Sequence, residues 1–417
     1  MNTMGSRPPA RWLLAAVTMA SGLLLAHHVL EFAAVLREGA GAAALTLDFR
    51  TYMCGAASLK TPYDICHNGE FVSGFVYPPP SLIYFHLLSR MPMDLAFLLH
   101  SAMSMAALAG AAWAALRLVD VPRSAAITAL LAALAIAPIG TSIAAGQVNI
   151  LLMASAVVGM GCASRGRPVC AGLAIALGFW LKIYPGLVPA LFLTPRKWRA
   201  ALATVAACAA LALVGLLWAA PGLYIQYFTA LLPQAQGYTM PGVAQSLAGV
   251  ATHVAAGGGQ PILHFVPIPE AVQLASRVVL AVGVLLAMAH GLATREARPL
   301  DSLNLLLCAS LVAAPNAWGY HYALVFPAIL AALARTLHHP RALRTAVVLA
   351  CWLALVIPAW TDPPAPLAAQ PWFNVPFRAR YGLVALVLIA LILWDARQDL
   401  RSALGRWRVP SGNFSRR

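Results

Sequence analysis

The chain contains one carboxylate whose position suggests a general base. Asp48 follows shortly after the first apolar run of the sequence, and Thr46 could cap a short helix from there to about Leu59. The dipole of that helix alone would favour a carboxylate in its first turn. The other interpretation is that Asp48 removes a proton from an acceptor hydroxyl, with Arg50 and Tyr52 as nearby substrate-binding residues.

Two amide side chains occupy the motif Gly146-Gln147-Val148-Asn149. An apolar helix follows directly, so both amides would lie at its beginning. There they could hydrogen-bond a sugar or a phosphate, or they could equally join neighbouring helices. The sequence leaves both interpretations open for Gln147 and Asn149.

Aromatic residues gather in two further motifs. In Phe75–Pro80, three prolines predict a stiff extended segment before a short apolar segment. A purely structural role would be enough to explain these prolines. The second motif, which we call the aromatic turn, is Pro315–Tyr322 and fits either an interface belt or a sugar or phosphate site. The candidate binding residues of the two motifs are Tyr77, Trp318, His321 and Tyr322.

Composition indicates the surroundings in which these motifs must function. Of the 417 residues, 61% are hydrophobic and 10% are charged, whereas a soluble chain is about 25% charged. Most apolar side chains must therefore face lipid or one another, and we predict an all-α polytopic integral membrane protein. The net charge of +15 does not indicate nucleic-acid binding, because the basic residues form short clusters between apolar runs.

The apolar runs predict one domain of about twelve transmembrane helices, some of them broken or half-length. The run at 12–34 is long enough to span and many more follow, so it is an uncleaved span rather than a signal peptide. A first external loop covers 35–92, with 81–89 lying along the interface, and a second covers 221–270. The remaining spans are expected at 93–117, 124–144, 147–163, 168–195, 200–220, 271–293, 300–317, 320–337, 345–361 and 379–396, before a basic tail at 397–417.

Basic residues predict the orientation of these spans. With the N-terminus inside, twenty of the 28 lysines and arginines fall on the cytoplasmic side, although the external loops are longer. This is a strong positive-inside bias. Both termini are therefore predicted to be cytoplasmic, and both long loops external.

The same bias favours a broken helical hairpin at 168–195, because basic clusters flank that segment on both sides. A single helix would place one cluster outside. The break is expected near Ile183–Gly186, where a proline and a glycine occur, so Lys182 and Tyr184 would lie near the apex at membrane depth. Broken helices are tolerated in a membrane where they line a polar cavity.

Taken in order, these motifs resemble glycosyltransferase family 87. The features are an aspartate in the first external loop, Tyr-Pro-Pro, Gly-Gln-x-Asn, Lys-x-Tyr-Pro before a basic cluster, and a late aromatic turn with a histidine, together covering about 46–322. Members of that family are polyprenyl-phosphate-mannose-dependent mannosyltransferases and relatives with the GT-C fold. The resemblance implies that fold here, and it favours the functional interpretation of Asp48.

The resemblance also implies the reaction. A hexose, mannose or another, would move from a polyprenyl-phosphate donor to an envelope glycan or glycolipid acceptor, with Asp48 as the base and inversion at the anomeric carbon. Such a donor carries its own leaving group, so one carboxylate suffices, unlike the pair in glycosidases. The departing phosphate needs cationic stabilisation, for which the candidates are Lys182, Arg50, Arg277 and His321.

The sequence gives no sign of a cofactor. It has no Asp-x-Asp pair to hold a metal with a nucleotide sugar, and its seven cysteines lack metal-like spacing. Cys54 and Cys66 share the first external loop and could pair, whereas the other five are interpreted as small apolar residues.

The resemblance implies a bacterial plasma membrane, with the site facing its external side. The main alternative is a lipid-linked-sugar flippase or transporter, because broken helices and intramembrane charges also mark transport paths. A structural subunit of an envelope-assembly complex is a third possibility.

Overall fold

The computed structural model describes residues 11–64, 75–119, 121–259, 261–294, 296–368 and 370–407. These residues are almost wholly helical. Within them the strands are Tyr238–Thr239 and Val266–Pro267, which pair antiparallel with Tyr238 opposite Pro267.

The α-helices and the tighter or wider helical turns follow one another along the chain. The α-helices are Arg11–Glu38, Leu47–Ala57, Ser81–Ser89, Met93–Leu116, Arg123–Leu134, Ala137–Ala144, Asn149–Ser164, Pro168–Leu181, Trp198–Gly215, Pro221–Gln226, Leu232–Gly237, Leu247–Ala255, Glu270–Ala293, Pro299–Ala313, Phe326–His338, Ala342–Val356, Ala365–Ala368, Pro371–Arg378 and Arg380–Trp407. Ala44–Thr46, Tyr184–Phe192 and Gly319–Val325 are 3₁₀-helices, and Tyr227–Leu231 is a π-helix.

Several helices can cross a membrane, which confirms the prediction of an all-α multi-pass membrane protein. Five in the described part of the chain are long and apolar enough, and the count reaches seven if each of two bent pairs is one span. This is fewer than the twelve predicted. The main reason is length: four apolar segments form helices of 10–17 residues, short of the roughly 20 that a straight span needs.

The segment 168–195 is broken close to the predicted point. Helix Pro168–Leu181 ends one residue before Lys182, whose backbone is extended. The chain then continues as the 3₁₀-helix Tyr184–Phe192 rather than as a second α-helix. Two prolines lie in that stretch and cannot donate helical hydrogen bonds, which limits α-helix formation.

Asp48 lies in the first turn of helix Leu47–Ala57, which begins where the sequence predicts. The predicted cap is absent, however. The Thr46 hydroxyl accepts no bond from the helix and instead donates to the carbonyls of Ala40 and Ala43, at 2.6 and 2.8 Å. The hydroxyl therefore stabilises the preceding turn and not the helix.

Helix Pro299–Ala313 is buried along its whole length, and polar residues gather near each of its two ends. At its beginning, Asp301 pairs with Arg335 over 2.8 Å. Asp395 accepts two hydrogen bonds from Arg344 and lies 3.7 Å from Arg335. We call these four residues the ion-pair cluster; they join four helices. The far end of the helix leads directly into the aromatic turn.

The cysteines differ in part from expectation. Cys54 is disulfide-bonded, and its predicted partner Cys66 lies outside the described residues. Cys162 and Cys170 form another disulfide, which ties the end of helix Asn149–Ser164 to the beginning of Pro168–Leu181. The interpretation of these two as apolar filler was therefore wrong, since sequence spacing does not reveal that a tight turn brings them together.

Candidate active site

Gly146 allows helix Leu47–Ala57 to pack against the Gln147 turn. Its φ of +64° lies in the left-handed region that favours glycine. A Cβ at this position would also lie 2.8 Å from ring atoms of Phe49, which is fully buried. The contact fixes the residue next to Asp48 beside Gln147.

The Asp48 carboxylate accepts two side-chain hydrogen bonds, both through Oδ2. One comes from Gln147 Nε2, and the other comes from the Tyr320 hydroxyl at 2.8 Å. Burial raises the pKa of Asp48, and this effect exceeds the opposing effects of the Tyr320 bond, the Lys182 charge and the Gln147 bond. A carboxylate whose pKa is raised is a better proton acceptor when ionised.

The Gln147 side chain is fully buried and joins two functional candidates. Besides Asp48, its Nε2 donates to the Tyr52 hydroxyl at 3.0 Å, and that hydroxyl lies 3.3 Å from Gln147 Oε1. The Gln147 backbone N–H donates to the Ser142 carbonyl at 2.9 Å. Of the two interpretations left open by the sequence, the contacts favour a structural role for this amide, directed at Asp48 and Tyr52.

Lys182 lies beside His321. Its Nζ is 2.9 Å from His321 Nε2, and the ring centroids of Tyr77 and Tyr184 are 5.6 and 5.8 Å away. Ring faces attract a cation at such distances. Lys182 also interacts electrostatically with Asp48, so the cation and the carboxylate belong to one site.

The aromatic turn fixes the orientation of His321. The Trp318 backbone N–H donates to His321 Nδ1 at 2.9 Å, and the His321 backbone N–H donates to the Trp318 carbonyl at 2.9 Å. With Nδ1 as the acceptor, the proton of the neutral ring lies on Nε2. That N–H and a Lys182 ammonium are both donors and cannot bond each other, so an anionic oxygen within reach of both nitrogens would accept from both. We call Lys182 and His321 the donor pair.

Tyr320 belongs to the same cluster, although sequence reasoning did not select it. Its hydroxyl binds Asp48, its ring centroid is 4.8 Å from that of His321, and its carbonyl accepts from Ser142 at 2.9 Å. The residues chosen from the aromatic turn were Trp318, His321 and Tyr322. In a 3₁₀-helix side chains three apart share a face, so Tyr320 lies on a different face from both His321 and Tyr322. The sequence predicts a span at 320–337 and not a 3₁₀-helix, so this geometry could not be anticipated.

Three predicted residues lie apart from the cluster. Arg277 is exposed, and no hydrogen bond, ion pair or ring contact among the described residues joins it to the donor pair. Arg50 lies on another face of its helix, where it donates to the Gly41 carbonyl at 3.0 Å and lines a separate cavity. The Tyr322 hydroxyl donates to the Gln245 carbonyl at 2.9 Å. Helix rotation, set by packing, directs these side chains elsewhere.

Asn149 is fully buried at the beginning of helix Asn149–Ser164, and neither its Oδ1 nor its Nδ2 has a partner among the described residues. The helix packs against the 3₁₀-helix Tyr184–Phe192, which follows Lys182, and against the 3₁₀-helix Gly319–Val325, which contains His321. Buried polar atoms without partners are uncommon and are typical of sites that water or ligand completes. The described residues contain no group of three or more metal-ligating side chains.

Comparison with known proteins identifies the family. A sequence model of glycosyltransferase family 87 matches residues 75–315, more than half of the chain, a range that includes Lys182 but ends before His321 and begins after Asp48. No solved structure matches.

Two characterised relatives extend the match. The chain is 28% identical over 378 residues to the polyprenol-phosphate-mannose-dependent alpha-(1-2)-phosphatidylinositol pentamannoside mannosyltransferase of Mycolicibacterium smegmatis, covering 84% of this chain and 85% of that protein. It is 26% identical over 273 residues to the polyprenol-phosphate-mannose-dependent alpha-(1-2)-phosphatidylinositol mannoside mannosyltransferase of Mycobacterium tuberculosis, 61% of each. The chain belongs to glycosyltransferase family 87 and is a membrane-embedded glycosyltransferase.

Proposed function

We propose that this chain transfers a hexose, with mannose as the first candidate, from a polyprenyl-phosphate donor to a glycan or glycolipid acceptor. The observation that carries the proposal is the single cluster of a carboxylate, Asp48, and the donor pair. The two relatives are named for a polyprenol-phosphate-mannose donor and for phosphatidylinositol mannoside acceptors, which supports a lipid-linked donor and a glycolipid acceptor here.

In the proposed reaction Asp48 acts as the general base. It takes the proton of an acceptor hydroxyl while the hydroxyl oxygen attacks the anomeric carbon of the donor. The bond from that carbon to the phosphate oxygen breaks as the glycosidic bond forms on the opposite face, so the configuration inverts. The products are the glycosylated acceptor and polyprenyl phosphate, and Asp48 later releases its proton to solvent.

The donor pair binds the phosphate in this scheme. Lys182 and the Nε2–H of His321 are both donors and converge within 2.9 Å, while the rings of Tyr77 and Tyr184 flank the ammonium. The described part of the chain gives Lys182 no carboxylate ion-pair partner, which leaves its charge for an anion. Fixed donors in a site shielded from water stabilise a departing phosphate far better than they would in bulk water.

We extend the proposal to the architecture. Adding the four shorter apolar helices to the upper count of seven gives eleven, close to the twelve or so spans of a GT-C-type bundle over residues 1–417. The positive-inside bias supports cytoplasmic termini, a cytoplasmic tail at 397–417 and external loops at 35–92 and 221–270. Asp48 would then face the external side of a bacterial plasma membrane.

Cysteine labelling of sealed cells tests this orientation. Met240→Cys should react with an impermeant thiol reagent from outside, whereas Arg199→Cys should react only after the membrane is permeabilised. The unsubstituted chain gives the background from its native cysteines. Labelling of residue 240 only after permeabilisation would overturn the topology.

A donor panel tests the activity. The purified chain, supplied with phosphatidylinositol mannosides, should transfer mannose from polyprenyl-phosphate mannose and not from GDP-mannose. Transfer from GDP-mannose alone would refute the donor class, and preference for another polyprenyl-phosphate hexose would replace mannose while retaining that class.

No specific observation favours a flippase. Movement of the donor across the membrane of vesicles, without any sugar transfer, would be needed to restore that alternative.

A further inference from the structure

We propose that the two oxygens of Asp48 have different tasks: Oδ1 accepts the proton of the acceptor, while Tyr320 and Gln147 are positioning residues that hold Oδ2. This inference rests on the proposed role of Asp48 as the base. It concerns which oxygen of Asp48 accepts the proton and which residues orient the carboxylate.

Both hydrogen bonds to Asp48 converge on one oxygen. The Tyr320 hydroxyl donates to Oδ2 at 2.8 Å, and Gln147 Nε2 donates to the same atom. The two donors come from different parts of the fold, namely the aromatic turn and the turn before helix Asn149–Ser164. Together they fix the rotation of the carboxylate about its Cβ–Cγ bond.

Neither donor is free to follow the carboxylate if it turns. Gln147 is fully buried and also donates to the Tyr52 hydroxyl at 3.0 Å. Tyr320 is held at its carbonyl by the buried Ser142, whose hydroxyl donates to it at 2.9 Å. Ser142 also accepts the Gln147 backbone N–H at 2.9 Å, so one residue anchors both supports.

The other oxygen is left available. No described residue donates to Asp48 Oδ1, and Oδ1 is not among the buried atoms that lack a partner, so it is not sealed from solvent. An oxygen that accepts two hydrogen bonds has its in-plane acceptor positions occupied. Oδ1 is therefore the oxygen that can accept a hydroxyl proton.

The Tyr320 hydroxyl also affects basicity. Burial raises the pKa of Asp48, and among the interactions that lower it the Tyr320 bond is the largest. This bond stabilises the ionised carboxylate, so its removal should raise the pKa further. Because the base must be ionised to act, the acid limb of the pH–rate profile should then move to higher pH.

Tyr320→Phe, with Tyr322→Phe as its matched control, tests the inference. Both changes remove one hydroxyl from the same 3₁₀-helix, but the Tyr322 hydroxyl binds the Gln245 carbonyl and not Asp48. In the transfer assay, Tyr320→Phe should lower kcat at neutral pH by about tenfold, keep the donor KM within about twofold and move the acid limb of kcat/KM to higher pH. Tyr322→Phe should leave the limb in place.

Identical pH profiles for the two variants would overturn the positioning role. If Tyr320→Phe does not fold, Gln147→Met removes the other donor and should shift the limb in the same direction, and an unshifted limb there would equally contradict the proposal. Asp48→Asn separates this inference from the proposed function. If that variant is inactive while Tyr320→Phe is unshifted, only the positioning role fails; if it retains full activity, the base assignment itself fails.

Discussion

Charged side chains near the two ends of helix Pro299–Ala313 have different kinds of partner. At the ion-pair cluster, both carboxylates meet arginines, with Asp301 bound to Arg335 and Asp395 bound by Arg344. At the candidate active site, Asp48 is held by the neutral donors Gln147 and Tyr320. The lysine of that site faces a histidine and two aromatic rings.

In terms of the proposed function, this difference separates charges that stabilise the fold from charges that would bind or activate a substrate. Removing an ionised group from water is costly unless a partner of opposite charge replaces the lost solvation. The ion-pair cluster meets that condition internally and joins four helices. The candidate active site lacks such ion pairs among the described residues. Charged groups that are not optimally paired are expected where a protein binds a substrate and catalyses a reaction. Substitutions should therefore affect stability at one end and turnover at the other.

The largest effect is expected for Asp48→Asn, which keeps the size of the side chain and removes its basicity. Transfer should fall at least about a hundredfold, because general base catalysis contributes roughly 10²–10⁴-fold. The unfolding temperature in detergent should stay close to that of the unsubstituted chain. Asp64→Asn is the control, since Asp64 is exposed in the same loop and, among the described residues, accepts only from Gln226, at 3.1 Å. Normal turnover by Asp48→Asn would remove the contrast between the two ends.

Asp395→Asn should show the reverse pattern. The change leaves two arginines without their shared carboxylate, and we expect a loss of about 1–3 kcal/mol in unfolding free energy, because the arginines are partly exposed. Activity per folded molecule should change by less than about twofold. Thermal unfolding and transfer measured on one preparation would check both. A stable but inactive variant would mean that this end also serves catalysis.

The pH dependence offers a finer comparison within the site. Burial raises the pKa of Asp48, so transfer should decline with falling pH from a point above the usual aspartate value of about 4. Lys182→Met removes a positive charge that lowers this pKa, so its residual activity should decline at higher pH still. A limb that stays at the same pH in Lys182→Met would indicate that the two groups are not coupled.

The smallest effect is expected for Arg277→Gln. Arg277 is exposed on helix Glu270–Ala293, away from the donor pair. We expect transfer and the donor KM to change by less than about twofold. A tenfold rise in donor KM would instead restore Arg277 as a phosphate ligand and extend the site toward that helix.

The sequence identified candidate residues for the site but not the contacts between them. Asp48, Gln147, Lys182 and His321 were recognisable because polar groups are rare beside apolar runs and so carry information. Their partners depend on packing between residues 95–272 positions apart, as the Gln147–Tyr52 and Tyr320–Asp48 bonds illustrate. For that reason the sequence could not show which residues the Gln147 amide contacts.

Three further features could not be read from the sequence, and the physical reason is again that they depend on packing. The charge of Arg277 suggested a role at membrane depth, but a sequence does not reveal which way a helix turns its side chains. The ion-pair cluster went unnoticed because Asp301 and Arg335 are 34 residues apart. The number of spans stays a prediction, because apolar runs do not show how many of their residues become helical, as the short helices Asn149–Ser164 and Pro168–Leu181 illustrate.

Binding of polyprenyl phosphate to the purified chain tests the central claim most directly, because this product contains the phosphate and lacks the sugar. If the donor pair binds the phosphate while Asp48 acts only on the acceptor, Lys182→Met should bind it at least about tenfold more weakly, as expected for a lost charge-assisted contact. Asp48→Asn should bind it at least as tightly as the unsubstituted chain, since a neighbouring negative charge is removed. Unchanged binding by Lys182→Met, or an equal loss in both variants, would contradict this division of roles.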